Sequence, residues 1–139
     1  MTLGELAEQY FALQSVDKSD FQRSARILQS MWRVEQGYGI GDRKTRSGSK
    51  PLGSRLAMPR ARDDLLNYLS DTIKGVVCDE VIDPVKSRGK LYGKPRNFND
   101  LLSIQPLRFN LIAELQKDLP LATDVMRSLT DGLVGLVTG

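Results

Sequence analysis

The chain contains no histidine and a single cysteine, Cys78. The first absence excludes Ser-His and Cys-His catalytic pairs and His-based metal sites within one chain. The second excludes a disulfide framework and a thiolate zinc cluster. Aromatic residues are scarce at 6%, so Leu, Val, Ile and Ala must fill most of the core. No apolar run approaches the roughly 20 residues needed to span a bilayer. The opening Met1-Thr2-Leu3-Gly4-Glu5 has neither the basic nor the apolar region of a signal peptide. The expectation is a cytoplasmic protein with no membrane partner.

What is present suffices for one domain over residues 1–139, with 40% hydrophobic residues. The net charge of +3 is modest, but it is unevenly distributed. Arg43, Lys44, Arg46, Lys50, Arg55, Arg60 and Arg62 follow Asp42 with no further acid between them. Lys86, Arg88, Lys90, Lys94 and Arg96 form a second acid-free stretch between Pro84 and Asn99. Two basic loops rich in glycine suit a phosphate backbone or an acidic protein surface.

Helix signals recur along the chain. Thr2-Leu3-Gly4-Glu5 and Ser19-Asp20-Phe21-Gln22 match the capping box, in which two side chains reciprocally satisfy free backbone donors. After the second box, Phe21, Ala25, Leu28 and Trp32 make an apolar stripe, which turns Arg23, Arg26 and Arg33 to the opposite face. Gly37 is a C-cap candidate. The glycines and serines of 37–59 predict a mobile basic loop. It lacks the phosphate-binding G-x-x-x-x-G-K-[ST] pattern.

A third helix is expected over 60–77, with Leu65, Leu66, Leu69, Ile73 and Val76 inward. The alternative near its end is a short strand through Val76, Val77, Cys78, Val81 and Ile82. Residues 88–95 read as a turn or short hairpin and 99–103 as a short helix or turn stopped by Pro106. Residues 107–117 read as a helix burying Leu111, Ile112 and Leu115. Asp118 then caps a helix with Pro120 in its first turn and Leu121, Ala122, Val125, Met126 and Leu129 inward. Asp131-Gly132 is a stop, and 133–137 is strand-like. The fold class is mainly α: five to six helices, a long basic loop and at most a short hairpin.

Candidate chemistry is thin. Magnesium-dependent phosphodiester hydrolysis needs two or more converging carboxylates, commonly with a lysine. Asp42-Arg43-Lys44 supplies a D-x-K, but in the expected loop. Asp79, Glu80 and Asp83, beside Lys86, are expected to be a solvated acidic turn. Cys78 reads as a small buried apolar residue. No catalytic residue, metal ligand or cofactor is assigned.

Leu91–Asn99 (Leu-Tyr-Gly-Lys-Pro-Arg-Asn-Phe-Asn) and Leu101–Leu111 (Leu-Leu-Ser-Ile-Gln-Pro-Leu-Arg-Phe-Asn-Leu) carry a more specific signal. With Phe21-Gln22, Ala25-Arg26, Gln29, Gly53-Ser54-Arg55 and the run from Leu119 to Thr123, they resemble a bacterial restriction-endonuclease-like branch of the PD-(D/E)xK nuclease superfamily. The resemblance implies that the branch's catalytic acids and (D/E)-x-K lie on a sheet beyond the position of Val137. No family catalytic residue is therefore carried over, and the chain reads as an amino-terminal part without the catalytic core. Phe98, Leu101, Leu102, Leu107, Phe109 and Leu111 read as anchors, and Asn97, Asn99, Ser103, Gln105 and Asn110 as satisfying the turn at Pro106.

The leading functional expectation is a non-catalytic module that engages DNA or RNA backbone. Its candidate contacts are Arg43, Lys44, Arg46, Lys50, Arg55, Lys86, Arg88, Lys90, Lys94 and Arg96. The alternative is a phage-type inhibitor, anti-CRISPR or anti-restriction, that binds a protein of a defence complex. The third is a nuclease using Asp79, Glu80 or Asp83.

Overall fold

Both capping boxes are present as hydrogen bonds. In the computed structural model, which describes residues 1–13, 15 and 17–138, the Glu5 amide donates to Thr2 Oγ1 at 3.3 Å and the Thr2 amide to Glu5 Oε2 at 2.6 Å. This pair opens α1, Leu3–Gln9. Ser19 and Gln22 do the same for α2, Asp20–Glu35. Gly37 ends α2 at φ +68°. The Gly37 amide donates to Val34 O and the Tyr38 amide to Arg33 O, the paired bonds of a Schellman cap.

The segment expected as a loop over 37–59 is instead an antiparallel hairpin, β1 (Ile40–Thr45) and β2 (Gly48–Leu56). A two-residue turn of Arg46 and Ser47 joins the strands, with Gly48 at φ +117° supplying a backbone conformation that side chains disfavour. A bulge between Ile40 and Gly41 shifts the register. The approach is so close that a Cβ on Gly41 would lie 2.2 Å from Leu56 O.

The helix expected over 60–77 is broken. It begins as the single turn α3, Arg60–Asp63, and stops where Leu65 takes φ +50°. Ser70 then caps α4, Asp71–Val77, by accepting from the Ile73 amide at 3.2 Å. A π-helical turn, Cys78–Ile82, follows in place of a strand. The 88–95 segment forms turns without strand pairing. The short helix α5 is Arg96–Asn99, earlier than expected. Pro106 sits inside the first turn of α6, Ile104–Lys117, where no intrahelical donor is needed. Asp118 caps α7, Leu119–Leu129, by accepting from the Leu121 amide at 2.9 Å. The strand-like 133–137 is not a strand; Arg127 donates to Val134 O and Gly135 O there. The result is mainly helical, with seven helices among the described residues and one two-stranded sheet.

The chain forms two compact units, Met1–Asn67 with Tyr92–Pro106, and Tyr68–Leu91 with Leu107–Gly139. In the first, Ala7, Ala12 and Ile27 form an apolar cluster with Leu6 and Met31 beside it. The expected apolar stripe of α2 is not its buried face: Phe21 is 81% and Leu28 63% exposed, while Ile27, Ser30 and Arg33 are buried. Polar residues go inward because partners from distant sequence await them. Arg26 donates to both oxygens of Asp17, at 2.5 and 2.9 Å, and to Ser54 Oγ at 2.7 Å. Arg33 donates to Gly53 O at 2.8 Å and Tyr38 O at 2.7 Å, and burial holds its pKa below the ordinary arginine value. In the second unit, Phe109 packs edge-on against Tyr68 at 6.1 Å. Ile73, Val77, Val81, Ala113 and Ala122 are buried there. Leu111, Leu121 and Leu129, expected inside, are exposed. No helix among the described residues is long and apolar enough to cross a membrane.

Candidate functional site

The ten basic candidates divide between the two units. Arg43 and Lys44 lie on β1, Arg46 in the hairpin turn, and Lys50 and Arg55 on β2. Arg43 stands directly opposite Lys50 in the ladder, a like-charge pairing that costs stability unless an anion offsets it. Lys94 and Arg96 belong to the same unit as the hairpin, whereas Lys86, Arg88 and Lys90 belong to the other.

In the first unit the hairpin and α5 form a concave site. The Leu101 amide donates to Ser54 O at 3.0 Å, and Arg55 makes a backbone bridge with Asp100. The Asp100 carboxylate lies 3.6 Å from the Arg55 guanidinium and 3.7 Å from Arg96 Nε, so one acid positions two cations. Arg55 also donates to Asp42 O at 3.1 Å. Between these elements is a cleft of about 660 Å³ whose charged lining is Arg43, Lys44, Arg55, Arg96 and Asp42. Ser49 and Asn99 also line it, over a floor that includes Ile40, Leu56 and Met58. Even with Asp100 beside Arg55 and Arg96, the four cations outnumber the two nearby carboxylates, Asp42 and Asp100, an imbalance that favours anions.

Two polar atoms of lining residues are buried without a hydrogen-bond partner, Arg55 Nε and Asn99 Oδ1. Arg55 was expected here as a phosphate contact; Asn99 was expected only to satisfy a turn. Its burial depends on the packing of α5, so no local sequence signal could have marked it.

The basic residues of the second unit are differently situated. Lys86 pairs with Asp79 at 3.1 Å, and Lys90 pairs with Glu80. Asp83 accepts from the Lys86 and Val85 amides at 2.9 and 2.8 Å, which holds its carboxyl below the usual range, the Lys86 amide contributing most. The three acids are therefore engaged separately. Arg88 is exposed. Cys78, expected to be buried, is exposed on the π-helical turn. The D-x-K of Asp42-Arg43-Lys44 lies on a strand, contrary to its expected loop placement. Among the described residues, no three acidic or cysteine side chains gather where they could share a metal ion.

A family model described as the PD-(D/E)XK nuclease superfamily matches residues 15–139. The chain belongs to that superfamily. The matched span contains the hairpin, α5 and every residue lining the cationic cleft. In this nuclease-superfamily chain, two of the segments that carried the resemblance meet in space: Ser54 of Gly53-Ser54-Arg55 accepts from the amide of Leu101, which opens Leu101–Leu111, beside the Arg55–Asp100 bridge. No curated protein and no solved structure matches the chain.

Proposed function

We propose that this nuclease-superfamily chain is a non-catalytic nucleic-acid-binding module, and that it grips the sugar–phosphate backbone without cutting it. The observation that carries this reading is the cleft lined by Arg43, Lys44, Arg55 and Arg96, with Asp42 as its one lining carboxylate. Cations held by a common acid and a paired strand are pre-arranged, so less side-chain freedom is lost when phosphate arrives. Arg46, Lys50 and Lys94, in the same unit, extend the positive field around that cleft. Lys86, Arg88 and Lys90 contribute less, because Asp79 and Glu80 already offset two of them. No carboxylate is assigned a catalytic role: Asp79, Glu80 and Asp83 take separate partners.

The test is binding to a labelled duplex, followed by fluorescence anisotropy over a range of salt concentrations. Affinity should fall steeply with salt, and removing one phosphate contact by Arg43→Gln should reduce the log–log slope by roughly one unit. No binding at low salt, or binding indifferent to salt, overturns the proposal. Magnesium-dependent cleavage by the purified chain would overturn its non-catalytic part.

A further inference from the structure

Helix α2 is amphipathic with its faces reversed. Arg26, Ser30 and Arg33 turn into the first unit, while Phe21, Ala25, Leu28 and Trp32 lie on the opposite side. Phe21 and Leu28 are exposed; Ala25 and Trp32 are half-buried, and Trp32 makes an edge-on contact with Tyr38 at 5.7 Å. A single exposed apolar residue is ordinary. These four instead recur at intervals of four, three and four, which places them on one continuous seam. That is the spacing of the heptad repeat by which helices pair. A helix normally turns such a face inward; this one spends its inward face on Arg26 and Arg33 and leaves the seam uncovered.

We propose that this face is a self-association surface, on which two copies of the chain pack their α2 helices antiparallel about a two-fold axis. The seam is self-complementary in that arrangement. With the axis midway between Arg26 and Ile27, Phe21 meets Trp32 of the second copy, an aromatic pair at each end. Between them the small Ala25 makes room for Leu28 of the second copy. The same two-fold sets Lys18 opposite Glu35 at both ends. Both residues are exposed, and neither takes part in an ion pair among the described residues. A parallel pair would set Lys18 against Lys18 and Glu35 against Glu35, and would align the two helix dipoles. Charge therefore selects both the occupant and its direction. The residues flanking the seam, Gln22, Ser24, Gln29 and Met31, are uncharged, so none of them repels a second copy. From Phe21 to Trp32 the seam runs about 17 Å. That is short for a permanent interface, so association falls in the micromolar rather than the nanomolar range.

The experiment is sedimentation velocity of the whole chain, free of nucleic acid, over a concentration series through the micromolar range. The sedimentation coefficient should rise from that of a monomer to that of a dimer. Leu28→Glu places a charge at the middle of the seam and should weaken association by about tenfold or more. Leu28 is exposed, so this variant keeps its fold, which circular dichroism checks. Lys18→Glu and Glu35→Lys should each weaken association roughly tenfold, because each turns two attractive pairs into repulsive ones. Both changes agree with the dipole of α2, so neither unfolds it. The double variant restores the pairs with their signs exchanged and should recover the dimer. A chain that stays monomeric throughout the range overturns the proposal, whether or not it binds vesicles of anionic lipid. A dimer indifferent to Leu28→Glu uses another face and overturns it as well. A double variant no better than the single ones overturns the antiparallel arrangement.

Discussion

Arg26 holds Asp17 in a two-pronged ion pair while its remaining nitrogen reaches Ser54 Oγ, so one guanidinium joins the segment before α2 to strand β2. Both side chains are nearly buried, at 11% and 6% exposed. Removing one partner from such a pair strands the other charge. Arg26→Ala should cost about 3–5 kcal/mol, read as a lower urea midpoint. Asp17→Asn, which keeps the shape and part of the hydrogen bonding, should cost less. Equal, small effects for both would show that the pair is not buried in solution.

Gly53 is packed against backbone with no room for a side chain. A Cβ there would lie 2.0 Å from Tyr10 O and 2.5 Å from Ser30 Oγ. Its amide donates to Phe11 O and its carbonyl accepts from Arg33, so it cannot shift without breaking both bonds. Gly53→Ala should destabilise by at least the ~1–3 kcal/mol typical of overpacking. Gly75→Ala, where nothing lies within 4 Å of the added methyl and the residue is helical, should be neutral or stabilising. Thermal melts of the two variants test the contrast.

Two carboxyls held by backbone amides set an acid dependence. Glu5 is held below its ordinary pKa by the Thr2 amide first and the Thr2 hydroxyl second, and Asp83 by the Lys86 and then the Val85 amide. For a carboxyl depressed on folding, the stabilisation is complete above the unfolded pKa and disappears as pH falls through the folded one. Stability should therefore be flat near neutrality and decline on acidification below the ordinary carboxylate range. Glu5→Gln with Asp83→Asn should flatten that decline, measured by urea titration at several acidic pH values. An unchanged acid limb would refute the assignment.

The basic residues should separate by their surroundings. Arg43→Gln and Lys44→Gln remove cleft cations with no carboxylate within salt-bridge distance among the described residues, whereas Lys86→Gln and Lys90→Gln remove cations already paired with Asp79 and Glu80. The first two should each lower the salt slope of nucleic-acid binding by about one unit, and the second two by clearly less. A reversed order, in the same anisotropy titration, would move the interface to the second unit.

Features governed by near neighbours in sequence were legible before the fold was known. The caps at Thr2, Ser19 and Asp118 and the glycine stop at Gly37 each involve a few residues, and all four are present. Features governed by distant partners were not. Helical periodicity turns apolar residues inward and sets Arg26 and Arg33 on the opposite face; Asp17, Ser54 and the Gly53 carbonyl, which make their burial tolerable, are invisible to periodicity. The hairpin was missed because its strands are rich in glycine, serine and charge rather than in β-branched residues. Its order comes from the ladder and from Arg33. The cationic side chains of the cleft were legible as composition. Their convergence, and the presence of Asn99 among them, required the packing of α5 on β2.

The two carbonyls that Arg33 grips flank the hairpin, Tyr38 just before it and Gly53 within its return strand. A side chain clamped on both legs of a ribbon suppresses fraying from its open end. Fraying of the hairpin should therefore begin at the opposite end, around the turn of Arg46 and Ser47.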